Sequence, residues 1–473
     1  MEPGPLTHGS VPRFGEWPVD PQEDIPIQKD RIWVDGCFDF SHHGHAGAIL
    51  QARKLGKELL VGVHSDEEIL ENKGPTVMTL AERVAAVNAC RWVTKSVPHA
   101  PYVTSLPWIS HYGCHYVVHG DDITSDSDGN DCYRFVKSAG RFLVVKRTPG
   151  ISTTDLVGRM LLCTRSHFIK SLTALLAGNE GPGTREELQE HAKQSLQRIK
   201  DYASDETGLK PGPAVWTWTT SCQGYNDSLP TLPTGSFGQI FQGKGPRPGQ
   251  RLVYVDGGFD LFSSGHIEFL RRVHEEEKEL GSRQQWYSPG RVAARLEQFG
   301  EDYAPAYVIA GVHDDEVINS WKGLNYPIMN IFERGLCVLQ CRVSGSRMFD
   351  SPTLVFITNS YYQYINAIIF GAPFTPSESF LRSLPLGMPN AVYHGPTTFI
   401  PLTYDPYVDP KRMGIFKEIG SHQFQHVNAG EIVQRILKSR EAFEVRQKTK
   451  LLKSIGEETI KQKEQNIELR SSN

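Results

Sequence analysis

Residues Arg31–Leu50 read RIWVDGCFDFSHHGHAGAIL, and the order of residue types in this stretch decides the architecture. Ile32-Trp33-Val34 is a run of large apolar residues that stops at Asp35-Gly36, the pattern of a short buried strand ending in a turn. From Gly44 the chain continues GHAGAIL, small and apolar, which predicts the start of a helix. Between the two lies His42-His43-Gly44-His45. Two imidazoles three residues apart share one face of a helix start, beside backbone N–H groups that have no intrahelical partner. Those donors, the positive end of the helix dipole and a glycine that lets the backbone come close make a place to hold phosphate. A bare histidine pair is equally well explained as a helix cap. The strand, the Asp-Gly turn and Phe38-Asp39 ahead of it favour the phosphate reading.

DGCFDFSHHGH resembles the signature of the cytidylyltransferases, relatives of the class I aminoacyl-tRNA synthetases that carry an HxGH phosphate-binding motif. The resemblance runs through further blocks. Glu58–His64, ELLVGVH, is a second apolar strand, followed by a helix with acidic residues in its first turn and the loop Asn72-Lys73-Gly74-Pro75. Thr79-Leu80-Ala81-Glu82 makes a capping box for a helix running to about Trp92. Strands near Val93–Val97 and at Tyr116-Val117-Val118 alternate with helical segments, the last ending at His119-Gly120-Asp121-Asp122. Ser152 reads as an N-cap with Asp155 at N3, inside Lys146-Arg147-Thr148-Pro149-Gly150-Ile151-Ser152-Thr153-Thr154-Asp155, which matches the family's RTxGIST motif. The βαβα order predicts an α/β chain built on a doubly wound, Rossmann-like parallel sheet with ligands at the carboxyl ends of its strands.

The resemblance implies site residues. His42, His45, Lys73 and Arg147 are implied as catalytic; Cys37, Phe38, His119, Gly120, Asp121, Lys146, Thr148, Ile151, Ser152 and Thr153 join them in holding CTP. Lys73 is implied to bridge both reactants. Asp35, Lys73, Tyr102 and Asp121 are expected to bind phosphoethanolamine; Tyr102, in Ala100-Pro101-Tyr102, occupies a position where the phosphocholine enzymes carry Trp. With an aromatic cage thus weakened, Asp35 and Asp121 are expected to accept the primary ammonium of phosphoethanolamine. Mg2+ is expected with CTP rather than in a protein cage. His43 is given no role.

The opening stretch recurs. Leu252–Leu270, LVYVDGGFDLFSSGHIEFL, repeats it in register, and His313, Lys322-Gly323, Glu333-Arg334, His394-Gly395 and Glu431–Arg435 answer His64, Lys73-Gly74, Glu82-Arg83, His119-Gly120 and Asp155–Arg159. This is a duplication of a whole domain rather than a short repeat. The copy is damaged: Ser263 replaces the first histidine, Pro396-Thr397 the acidic pair, and Asn428-Ala429-Gly430 the hydroxyl run, with no partner for Arg147. Gly257, Gly258, Phe259, His266, Lys322 and His394 remain as a vestigial nucleotide site. The expected division is a disordered segment 1–28, a catalytic domain 29–165, a partly packed linker 166–250, a degenerate second domain 251–440 with an insertion at 275–303, and a charged helical tail 441–473.

Two tandem domains, and no long amphipathic membrane helix after the first, point within the family to phosphoethanolamine as acceptor, with CDP-ethanolamine and pyrophosphate as products on the way to phosphatidylethanolamine. The competing readings are a phosphocholine enzyme and a non-catalytic nucleotide-binding scaffold. The intact first site opposes the scaffold. A net charge of -4 argues against a nucleic-acid binder. The apolar stretch Thr353–Phe374 is broken by Asn359, Ser360, Gln363 and Asn366, so no transmembrane segment is expected, only peripheral membrane association at most. The N-terminus lacks a basic and apolar leader, and eight scattered cysteines read as reduced thiols; both suggest a cytoplasmic protein. Nothing in the sequence opposes a homo-oligomer.

Overall fold

The computed structural model describes residues 26–220, 235–344, 362–395 and 404–446. The expected N-terminal disorder before residue 26, the Pro396-Thr397 replacement and the tail beyond Arg446 fall outside them. Two units form: 1–162 together with 430–473, and 163–429.

In the first unit β1 (Gln28–Gly36), β2 (Glu58–His64), β3 (Lys95–Ala100), β4 (Cys114–Gly120) and β5 (Phe142–Val145) alternate with α1 (His43–Arg53), α2 (Asp66–Lys73), α3 (Leu80–Asn88), α4 (Leu106–His111), α5 (Arg134–Ser138) and α6 (Thr153–Leu162). The sheet is parallel throughout, in the order β3-β2-β1-β4-β5. The expected apolar runs are its centre: Ile32, Trp33 and Val34 are buried, and Trp33 stacks on Tyr112 with ring centroids 5.5 Å apart. The local signals act as read. Ser65 caps α2, and Thr79 with Glu82 closes the capping box of α3, which ends at Asn88 rather than near Trp92.

Three backbone segments meet behind the HxGH helix. The loop after β1 passes through left-handed angles at Phe38, Phe40 and Ser41 (φ 56°, 63° and 42°), a conformation costly for bulky side chains unless the surroundings hold it. Here the holder is Asp39, whose buried carboxylate accepts the N–H groups of Val77 (3.0 Å) and Met78 (2.9 Å). Arg83, also buried, donates to the carbonyls of Cys37 (2.7 Å) and Met78 (3.2 Å) and to Asp66 (2.7 Å).

The second unit begins with α7 (Leu172–Leu176), α8 (Arg185–Tyr202), β6 (Ala214–Thr220) and β7 (Gly235–Phe241). It continues through β8 (Arg251–Gly257), α9 (Ser264–Arg283), α10 (Pro289–Phe299), β9 (Ala306–Val312), α11 (Asp315–Lys322) and α12 (Ile331–Leu339). Then come the paired β10 (Arg342–Ser344) and β11 (Tyr362–Tyr364), β12 (Ala367–Phe370), α13 (Glu378–Arg382), β13 (Ala391–His394), α14 (Val408–Arg412) and β14 (Phe416–Glu418). Its main sheet runs β14-β13-β8-β9-β12-β6-β7. Five of those strands repeat the first sheet's order. The other two correct the expected linker 166–250: β6 pairs with β12 in parallel and β7 with β6 antiparallel, so this stretch extends the second sheet. Trp218 is buried against Phe237 and Phe380, ring centroids 4.6 and 5.1 Å away. The insertion 275–303 is the end of α9 followed by α10. α15 (Ala429–Lys438) and the residues to Arg446 belong almost wholly to the first unit, where Arg435 forms a two-pronged ion pair with Glu82 (2.7 and 2.9 Å). The charged helical tail starts as a packed segment, with Phe443 buried.

The duplicated strand ends differ in one instructive way. Asp35, at the end of β1, accepts hydrogen bonds from Trp33 Nε1 (2.8 Å), Tyr133 (2.7 Å) and Thr104. Its counterpart Asp256 accepts from Tyr407 (2.7 Å) but has neither of the other two side-chain donors, because Tyr254 replaces Trp33 and Pro376 replaces Thr104. Burial pushes the Asp256 carboxyl up from 3.8 to about 7. A folded-state value above the unfolded one means stability present at low pH that drains away as pH climbs between those two values, by at most about 4 kcal/mol. Asp256→Asn should therefore flatten the fall in thermal unfolding temperature between pH 5 and pH 8; an identical fall in both proteins would refute the assignment.

Candidate active site

Strand order in the first sheet reverses between β1 and β4, the place where a doubly wound sheet opens a crevice at its carboxyl edge. Asp35-Gly36 and His119-Gly120 end those two strands, and a cavity of about 280 Å³ opens there. Its wall includes Asp35, Cys37, Phe38, His42, His45, Lys73, His119, Gly120, Arg147, Thr148, Ile151, Ser152 and Thr153 from the expected set.

His42 is the N-cap of α1: its backbone is extended, and its Nδ1 accepts the Gly44 N–H at 3.1 Å. An imidazole that accepts through Nδ1 carries its proton on Nε2, so the outer edge of the ring is a donor. The His45 ring stacks on it, 3.9 Å between centroids. Only glycine fits between them and the facing loop, since a Cβ on Gly44 would lie 2.7 Å from Ile151 Cγ2 and 2.8 Å from His42 Nδ1. Opposite, Ser152 Oγ accepts the Asp155 N–H (3.0 Å) at the start of α6. Thr148 links the two helix starts by donating to the Gly44 carbonyl at 3.4 Å. Two helix N-termini thus address one cavity, each bringing the positive end of its dipole.

The cations sit at the rim. Lys73 is the last residue of α2, beside Gly74 at φ 91°, and its Nζ lies 5.5 Å over the Tyr102 ring. Arg147 is half exposed and pairs loosely with Asp122 at 3.5 Å; such a pair is worth about 0–1 kcal/mol and is readily given up for a phosphate. The Cys37 thiol is pushed up by burial and stays protonated.

Three expected residues are not in the cavity wall. Tyr102 is buried beneath Lys73, its hydroxyl 3.4 Å from the Ser125 carbonyl. Asp121 points to the surface and accepts the Arg147 N–H at 3.0 Å. Lys146 is exposed, and its main chain is held by the Gln51 side chain (2.8 and 3.1 Å). Sequence reasoning also missed wall residues, chiefly Asp39, Asn72 and Arg446. Asp39 had a signal, since its match Asp260 survives in the copy; Arg446 had none.

In the second unit the corresponding helix start is closed. Phe262, where the first repeat has Ser41, lays its ring on His266 (5.5 Å, 10° between planes). Ser263 takes the N-cap position and donates its hydroxyl to the Val427 carbonyl at 2.8 Å. Burial pushes the His266 imidazole down to about 3, so it stays neutral, and Lys322 holds its Nζ 5.4 Å over the Tyr326 ring. Gly257, Gly258, Phe259 and His394 keep their strand-end places, His394 against Tyr407 as His119 is against Tyr133.

The cytidylyltransferase-like family model matches residues 33–159, the span that builds the open cavity. An ethanolamine-phosphate cytidylyltransferase of Mus musculus is 37% identical over 440 residues, 90% of each chain. One of Dictyostelium discoideum is 36% identical over 430 residues, 90% of this chain and 96% of the other. A choline-phosphate cytidylyltransferase of Arabidopsis thaliana is 35% identical over only 187 residues, 39% of this chain. The match that spans nine-tenths of the chain, both repeats included, is with ethanolamine-phosphate relatives: the chain belongs to the ethanolamine-phosphate cytidylyltransferase family.

Proposed function

We propose that this chain transfers CMP from CTP to phosphoethanolamine, releasing pyrophosphate and forming CDP-ethanolamine. The observation that carries the reading is the single cavity at the β1–β4 switch point, faced by two helix starts and by His42, His45, Lys73 and Arg147. A phosphate oxygen of phosphoethanolamine attacks the α-phosphorus of CTP in line; that P–O bond forms as the bond to the β-phosphate oxygen breaks. No protein nucleophile is needed. The work is alignment and countercharge. His42 donates through Nε2, His45 is braced against it, Lys73 bridges the two reactants, and Arg147 with the α6 start holds the far phosphates.

Magnesium would arrive with the triphosphate. Such an ion would be held by phosphate oxygens and water rather than by a protein cage. Its chemistry there is to offset charge on the leaving pyrophosphate. For the acceptor, Phe38 is the one Phe, Tyr or Trp among the described wall residues, so a quaternary ammonium has no cage, while the Asp35 carboxylate is available to a primary one. No helix among the described residues is long and apolar enough to cross a membrane. A cytoplasmic location fits eight cysteines scattered along the sequence with no CxxC pair.

His42→Ala and His45→Ala should each lower kcat by about 10²–10³, the usual loss for one preorganised donor, in a protein that still folds; His42→Ala, which also removes a helix cap, should melt slightly earlier. Near-normal kcat in a folded variant would overturn the clamp. With CTP fixed and a panel of phosphorylated amino alcohols, phosphoethanolamine should give the highest kcat/KM; parity with phosphocholine would sink the acceptor assignment. The double variant of His266 and Lys322 to Ala should keep turnover within about twofold, since neither group addresses an open site. A large loss with folding preserved would mean the second site works.

A further inference from the structure

Arg446 follows α15 near the far end of the chain, yet its guanidinium lines the first unit's cavity. Its Nη1 donates to the Pro75 carbonyl and lies 3.4 Å from Asp39 Oδ2. Its stem covers Gly74: a Cβ there would meet Arg446 Cβ and Cγ at 3.4 Å. The side chain is only 16% exposed, and its segment is pinned by the Arg435–Glu82 pair and by buried Phe443. Lys73-Gly74-Pro75 is the loop that carries Lys73.

We propose that Arg446 is a positioning residue for the transfer reaction, holding the Lys73–Pro75 loop so that Lys73 addresses the phosphates and cancelling the charge of Asp39 beside them. This rests on the function proposed above. The duplication supplies an internal comparison. Asp260 makes the same two main-chain bonds as Asp39, to Ile328 (2.8 Å) and Met329 (2.9 Å), and among the described residues no arginine is hydrogen-bonded to it. The tie between loops therefore forms without an arginine. What the arginine adds belongs to the repeat whose cavity is open, where a buried carboxylate close to a triphosphate would oppose binding unless neutralised.

The full-length chain serves for the test, with Lys73→Ala run alongside. Arg446→Ala should lower kcat/KM at least about 10-fold, a loss typical of a misplaced binding group, at an unchanged unfolding midpoint. Arg446→Lys should recover part of it, and millimolar guanidinium added to Arg446→Ala should raise its rate while leaving the original protein unaffected. A kcat and both KM values within twofold of the original protein, or a loss that neither lysine nor guanidinium relieves, would overturn the proposal. If Arg446→Ala does not fold, Arg446→Lys decides: a loss above about threefold supports the role, and unchanged kinetics reject it. A harmless Lys73→Ala would overturn the parent reading as well; a crippled Lys73→Ala beside a silent Arg446→Ala would sink this inference alone.

Discussion

The bonds from the Asp39 carboxylate to the Val77 and Met78 N–H groups are the constraint on which the site depends. They join the loop that leads into the His42 helix to the segment that follows Lys73, two stretches with no strand pairing between them. A carboxylate accepting several main-chain donors is a strong, directional tie. It also explains why the β1–α1 loop can hold three left-handed residues: the strain is offset at one buried point. Arg83 closes the same junction from the other side through Cys37 and Met78. In the second unit Asp260 and Arg334 repeat the arrangement almost bond for bond.

Comparing the repeats separates architecture from chemistry. Both keep the aspartate tie, the buried arginine, the capping box of the following helix and the strand order. The polar surroundings of the ligand crevice are what changed. Asp256 has lost two of the three donors that serve Asp35, and Phe262 covers the His266 ring. A buried acid short of donors tends to become a neutral one.

Much of this was legible because the signals are local. The HxGH turn and the Thr79 and Ser152 caps each declare themselves within a few residues. The linker did not, because β6 and β7 sit in Gly-, Pro- and Ser-rich sequence and owe their strand state to pairing with β12, far along the chain. Tyr102 lies buried beneath Lys73 rather than in the cavity wall, and a sequence does not say which side of a wall a ring occupies. Arg446 lies hundreds of residues from the motif it touches, and no periodicity or spacing connects them.

His42 caps its helix and, in the proposed reaction, also donates a hydrogen bond to phosphate, and folding depends only on the first of these posts. Ser263 illustrates the result. A hydroxyl residue takes over the N-cap position and the helix survives, so the charge-handling imidazole can vanish without a penalty in foldability. Once a gene is doubled, drift can therefore strip the chemistry from one copy while the cell still harvests a properly folded protein. Where the group that reacts also serves as a replaceable structural part, silent loss of function is the path of least resistance.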